Sequence, residues 1–335
     1  LRFVRQYLIP RLIQYVLVTW LGITLVFFIP RLLPTDPVEM MIATIRGHGA
    51  FIDPAAAEQM VHVLREMYGL EAGLFDQYLS FWRRLVTVDF GPSLFTFPTP
   101  VSQLIARALP WTVGLLLTST ILAWIVGTLF GGLAGYFARS RMLKILDGMV
   151  MLVRPIPYYV FALILLVLFA YLVPIFPFGG GYPIGARIAF TWSFLSSLLK
   201  HASLPIISMV ILGIAVNHQT MRLIVQSVKD EDYLRYAQLG NVKERLIFAR
   251  YVMRNAILPQ ITGLALSLGM IFGGALITEM VFAYPGIGSL LFQAIILSDY
   301  NLIMGIMTIS IVAITTGILL IDLLYPLIDP RIRFR

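Results

Sequence analysis

Residues 108–138 read ALPWTVGLLLTSTILAWIVGTLFGGLAGYFA and contain no charged side chain. A helix needs about 20 mostly apolar residues to cross the hydrocarbon core of a bilayer, so this run is long enough to span one, with a polar approach at Pro110. The same criterion picks out Leu12 to Pro30, a third run from near Met149 to about Val173 that carries Arg154 close to its end, Ala202 to Met221, Asn255 to Thr278, and Tyr300 to Ile321. The composition agrees: 59% of the 335 residues are hydrophobic and 13% are charged, against roughly 25% charged in an average soluble domain. The fold class expected is an all-α polytopic membrane protein with six transmembrane helices, forming one domain over residues 1–335.

Lys and Arg favour the cytoplasmic side of short loops. The N-terminal residues Arg2, Arg5 and Arg11, the loop with Arg139, Arg141, Lys144 and Arg154, the seven basic residues between 222 and 254, and Arg331, Arg333 and Arg335 all fall on one side. Both termini are therefore expected in the cytoplasm, with residues 31–107 as a small extracytoplasmic segment between the first two spans. The net charge of +8 reflects this topology and not a nucleic-acid partner. Arg5 before an apolar run also resembles the start of a signal peptide, but the run is long and no small-residue cleavage pattern follows Ile29. In the 31–107 segment, Asp53 and Pro54 predict the start of a helix that Gly69 stops.

Charge returns in residues 229–257, a cytoplasmic loop between spans four and five. Asp230, Glu231 and Asp232 suit the positive end of a helix dipole. Glu231 and Arg235 stand at i and i+4. Tyr233, Tyr236, Ala237 and Gly240 share one helical stripe, two rings beside two small residues, which fits a groove in another protein; the same pattern fits an ordinary solvated helix. The turn is expected at Gly240 or Asn241, residues that tolerate the left-handed region, with a second helix from Val242 to Pro259.

EDYLRYAQLGNVKERLIFARYVMRNAILP (231–259) resembles the cytoplasmic EAA loop of permease subunits of bacterial ABC importers of the dipeptide, oligopeptide and nickel family. LLPTDPVE (32–39), YGLEAGLFDQYLSFW (68–82), VDFGPS (88–93), VFAYPGIGSLL (281–291) and LLYPLIDPRIR (323–333) extend the resemblance over nearly the whole chain. It implies that Glu231, Asp232, Tyr233, Arg235, Tyr236, Ala237, Gly240 and Asn241 belong to the coupling helix that docks on an ATPase. It also implies a bacterial or archaeal cytoplasmic membrane and three kinds of partner: a second, homologous permease subunit, two ATPase subunits that hold ATP and Mg²⁺, and an extracytoplasmic solute-binding protein. This family usually has glycine where this chain has Asn241. Cargo is implied to be oligopeptides first, short oligosaccharides second. Nickel comes last, because the spans offer only His201 and His218 and no cysteine.

Small residues spaced by four let helices approach closely in lipid, so Gly127, Gly131 and Gly135, and Gly269 with Gly273, are assigned to packing. Asn217, His218 and Gln219 are polar residues near the cytoplasmic end of span four, where they either face a translocation pathway or lie at the interface. Glu279 and Asp322 are expected near the ends of spans five and six. The chain has no phosphate-binding GxxxxGK[ST] loop, no HExxH and no GxSxG, and its four histidines lack metal-ligand spacing. No catalytic residue, cofactor or metal is expected in the chain itself. An ion-gradient-driven transporter is the other class considered; its usual midplane helix breaks and buried ionisable residues are not evident in the sequence.

Overall fold

The computed structural model describes residues 4–32, 72–183, 185, 186 and 191–328, with short pieces between 38 and 65. Eleven helices are labelled among these residues: α1 (Ile9–Arg31), α2 (Leu74–Val86), α3 (Val101–Tyr136), α4 (Arg141–Val153), α5 (Tyr158–Leu172), α6 (Trp192–Lys229), α7 (Asp232–Leu239), α8 (Glu244–Gly273), α9 (Leu276–Val281), α10 (Ile287–Ile296) and α11 (Tyr300–Ile328). The fold is all-helical because lipid offers no partner for an unpaired backbone N–H or C=O. Of the helix expected from Asp53, residues 59–63 and 65 are described and helical. Its remainder, most of the LLPTDPVE stretch and the tail after Ile328 lie outside the described residues.

Five helices are long and apolar enough to cross a membrane, namely α1 with its preceding turn, α3, α6, α8 and most of α11; α4 and α5 together make a sixth span bent by 102°. The run expected to form the third span, from near Met149 to about Val173, is thus broken. Pro155 and Pro157 flank Ile156, and a proline removes a helical donor and disfavours helix in the residue before it. Backbone hydrogen bonding passes through the break only as local turns, Ile156 N to Val153 O and Val160 N to Pro157 O. On its own α5 rises roughly 22 Å at 1.5 Å per residue, short of a bilayer core of about 30 Å.

The fifth span also differs from expectation. It begins at Glu244, and its last turn, Met270–Gly273, tightens to a 3-10 helix before Gly274 takes a left-handed φ of +79°. Glu279 therefore sits not on this span but on the separate helix α9, fully buried. The short apolar helix α10 follows before α11.

The chain divides into two compact units, Leu1–Thr112 with Phe272–Leu276 and Pro285–Thr316, and Val113–Ile271 with Ile277–Tyr284 and Gly317–Arg335. In the first, Phe90, Val101, Ile105, Ala108, Ile287, Ala294, Leu302 and Ile306 form the buried core. Asp299 is fully buried there and ties a loop to the start of α11: it accepts from Ser93 Oγ, from Phe95 N at 3.1 Å and from Leu302 N at 3.1 Å. Arg31 ends α1 with its guanidinium 3.7 Å from the Phe27 ring centroid while donating to Phe27 O and to Gln77 Oε1 on α2.

In the second unit, α3 lies against α6 through its glycines. A Cβ placed on Gly127 would meet Asn217 Cβ at 2.6 Å, one on Gly131 would run into the His218 carbonyl oxygen, and one on Gly135 would meet the Arg222 carbonyl at 2.8 Å. The four-residue glycine spacing is a packing device here, as expected from the sequence. Gly132 on the adjoining face meets Met253 of α8, and the Trp124 indole donates to the Gln260 carbonyl at 3.0 Å. The Gly269–Gly273 pair behaves differently: Gly269 faces Gly317, whereas Gly273 lies in the 3-10 turn with only Ile314 at ordinary contact distance.

Gly131→Ala forces a methyl into backbone that cannot yield, and overpacking of this kind costs roughly 1–3 kcal/mol. A methyl added at Gly114, on the same helix, would have nothing within 4 Å, so Gly114→Ala stabilises by roughly 0.5–1 kcal/mol through helix propensity alone. Thermal unfolding of the two variants in detergent should move in opposite directions; equal shifts would show that the crossing at Gly131 is not tight.

Candidate functional site

The loop between α6 and α8 is built around the eight-residue helix α7. Glu231 is its N-cap, with extended φ and ψ of −74° and 137°. Because Glu231 stands outside the helix, the i, i+4 arrangement with Arg235 is not realised, and the two form no ion pair. The C-terminus is a Schellman turn: Asn241 N donates to Gln238 O at 3.0 Å and Val242 N reaches back to Ala237 O at 3.2 Å. Of the two residues anticipated at the turn, Asn241 takes the left-handed conformation, φ +55°, and Gly240 stays right-handed at −72°. The second helix starts at Glu244, two residues later than expected.

The anticipated stripe of Tyr233, Tyr236, Ala237 and Gly240 is split by the packing. Ala237 and Leu234 are buried in this chain's own core, in one cluster with Tyr136, Met221, Val225, Ile247, Val252 and Ala256. The small side chain of Ala237 fits this internal seat. Tyr233 OH accepts from Asn255 Nδ2 at 3.1 Å, which secures α7 to α8. The outward face is carried by Asp232, Arg235, Tyr236 and Leu239, all exposed, with Tyr236 at 72% and Leu239 at 83%. A large exposed ring and an exposed leucine thus stand between charges on the outer side of a short, capped helix.

One turn-pair further along α6, the polar trio Asn217, His218 and Gln219 is drawn into three different contacts. Asn217 Nδ2 donates to Gly213 O on its own helix at 2.8 Å. His218 is 1% exposed and its Nε2 lies 2.7 Å from Asp147 Oδ1 on α4. Gln219 Oε1 accepts from the Arg154 guanidinium at the end of α4. Arg222 Nε approaches the other Asp147 oxygen at 3.4 Å. Sequence reasoning placed His218 and Gln219 without their partners. A signal was present: Asp147 is the only acidic residue between Asp89 and Asp230. Among the described residues, no three His, Asp or Glu side chains gather as a metal site.

Comparison with known proteins places this geometry in context. A profile of the family described as binding-protein-dependent transport system inner membrane component matches residues 127–334, which include α7 and both of its supporting helices. The chain is 31% identical to the oligopeptide transport system permease protein AppB of Bacillus subtilis, over 94% of this chain and 95% of that one. It is 31% identical to the di/tripeptide transport system permease protein DppB of Pseudomonas aeruginosa, over 97% and 98% of the two chains. The glutathione transport system permease protein GsiC of Escherichia coli K12 is 29% identical over 98% and 99%. Since the matched family segment exceeds half of the chain and the relatives align almost end to end, the chain belongs to the binding-protein-dependent transport system inner membrane components, as a multi-pass permease subunit of an ABC importer and not its ATPase.

Proposed function

We propose that this permease serves an ATP-driven importer of short peptides, in six membrane-crossing passes with both termini and α7 in the cytoplasm and residues 31–107 outside. A binding-protein-dependent ABC system works with an ATPase and a solute-binding protein; the proposed complex contains two ATPase subunits, which bind ATP and Mg²⁺, and a second, homologous permease opposite this one. Peptide cargo rests on the relatives, whose names specify oligopeptides, di- and tripeptides and glutathione. The observation that carries the coupling role is the two-sidedness of α7: Leu234 and Ala237 anchor it inward while Tyr236 and Leu239 stand exposed. A force applied to the outer face is thereby passed directly to α6 and α8.

The burial of Ala237 redirects the test of this surface. A charge at Ala237 would disrupt the chain's own core, whereas Tyr236→Ala with Leu239→Asp alters only the outer face. The double variant should insert normally and unfold at the wild-type temperature, yet lose ATPase co-purification and most of its uptake. Retention of the ATPase would move the docking face elsewhere.

Topology can be read with single cysteines, because the chain has none. A cysteine at exposed Arg83 should react with an impermeant maleimide on intact spheroplasts, and one at exposed Lys243 only after lysis. The reverse labelling would invert the topology and remove the ATPase from α7. For cargo, mass spectrometry of the ligand retained by the co-purified binding protein is expected to find short peptides; an oligosaccharide there would replace the peptide assignment.

A further inference from the structure

The buried contact between α4 and α6 is not explained by the docking of an ATPase or by helix packing alone. Asp147 is 15% exposed at its side chain, His218 1% and Arg222 26%, so a carboxylate, an imidazole and a guanidinium meet where a hydrophobic contact would have held the helices together. Gln219 and Arg154 add a second polar bridge a turn or two away. These are the ionisable and polar groups that face one another across the contact from both helices. His218 Nδ1 is buried and has no hydrogen-bond partner among the described residues.

Position on the fold gives the contact its meaning. His218, Met221 and Val225 lie at i, i+3 and i+7, on one face of α6. Met221 and Val225 belong to the cluster that seats α7, and His218 holds α4. The seat of α7 and the hold on α4 are therefore separated by roughly 10 Å along a single rod, at 1.5 Å per residue. α3 fixes the backbone of His218 through Gly131, and its Gly135 lies against the Val225 side chain. α4 is much less constrained. Its outer stripe of Met142, Ile145, Met149 and Leu152 is exposed, and at its far end the Arg154–Pro157 turn separates it from α5 with the 102° bend. An arm with a proline hinge at one end, exposed along its outside and fastened through polar contacts to a driven helix is a movable element.

We propose that Asp147, His218 and Arg222 form a latch that sets the angle of the α4 arm against α6, and that each transport cycle requires the latch to part and re-form as α7 is displaced. Asp147 and His218 act as positioning residues for transport. The arm turns at Pro155–Pro157 and carries α5 with it, so movement at the ATPase surface reaches a membrane span through two turns of α6. Charge suits a latch better than apolar packing does, because an ion pair has a sharp optimum in distance and angle, while an apolar surface slides with little change in energy. This proposal rests on the coupling role of α7.

The test uses the complete complex of permease, ATPase and binding protein in proteoliposomes. Cysteines replacing exposed Arg154 and half-buried Gln219 are joined by a short bifunctional methanethiosulfonate in this otherwise cysteine-free chain. Cross-linking is expected to lower peptide uptake by roughly tenfold or more, with recovery on adding dithiothreitol, as for other hinged elements held in one position. Wild-type uptake by the cross-linked complex would overturn the latch, because α4 would then not move relative to α6. ATPase co-purification separates the two readings: its retention by Tyr236→Ala with Leu239→Asp counts against the α7 surface, and its retention by the cross-linked chain with unaltered uptake counts against the latch alone. Asp147→Asn keeps shape and removes charge. The expected result is a several-fold rise in ATP hydrolysed per peptide imported, reversed in part by pairing Asp147→Arg with Arg222→Asp; unchanged coupling in Asp147→Asn would again reject the latch.

Discussion

The second unit depends on how closely α3 and α6 can approach, and that distance is set by what Gly131 lacks. With no side chain there, the two backbones come near enough for the His218 carbonyl to occupy the volume a methyl group would fill. In lipid this matters more than it would in water. Apolar side chains gain nothing by leaving hydrocarbon for protein, so close van der Waals contact and polar ties must supply the association energy. Both are concentrated along this crossing. Gly127, Gly131 and Gly135 provide the contact, and at its end Lys229 Nζ donates to the Tyr136 carbonyl at 3.0 Å, a cation on an otherwise unmet helix terminus.

With α6 fixed by α3, other elements are held in a defined order along the same rod. His218 receives α4, and Met221 with Val225 shares a buried cluster with α7 and the first turns of α8. The glycine crossing thus sets the position of α6: without it, α3 and α6 could slide past one another. Lipid-exposed helices follow a different logic. Along α1, Ile13, Val16, Leu17, Leu25 and Ile29 are more than half exposed, which is the ordinary state of side chains that face hydrocarbon.

Much of this was legible in the sequence, for identifiable reasons. Uncharged length finds a span because the bilayer tests each residue almost independently, and α1, α3, α6, α8 and α11 answered to it. Breaks within spans are less visible, since they depend on whether proline is absorbed or expressed. Pro110, Pro205 and Pro259 remain inside continuous helices, whereas Pro155 and Pro157, two apart, end one. Composition cannot distinguish these outcomes without knowing which neighbours support the freed carbonyls. The end of the fifth span failed for a related reason: the apolar run continues through Gly273 and Gly274, but a left-handed glycine redirects it toward α9 and α10.

At α7, local chemistry was readable and orientation was not. Asn241 could be recognised as a helix stop because the left-handed preference belongs to the residue itself. Which face of α7 pointed inward depended on α6 and α8, and small size at Ala237 fits a tight internal seat as well as an external groove. The distinction changes the mechanical reading. Were Ala237 and the tyrosines all turned outward, the helix would be held to this chain only at its ends and a push would rotate it in place. With Leu234 and Ala237 buried and Asn255 holding Tyr233, rotation would expose apolar surface and break a hydrogen bond, so the easier response to a push is translation of α7 together with its supports.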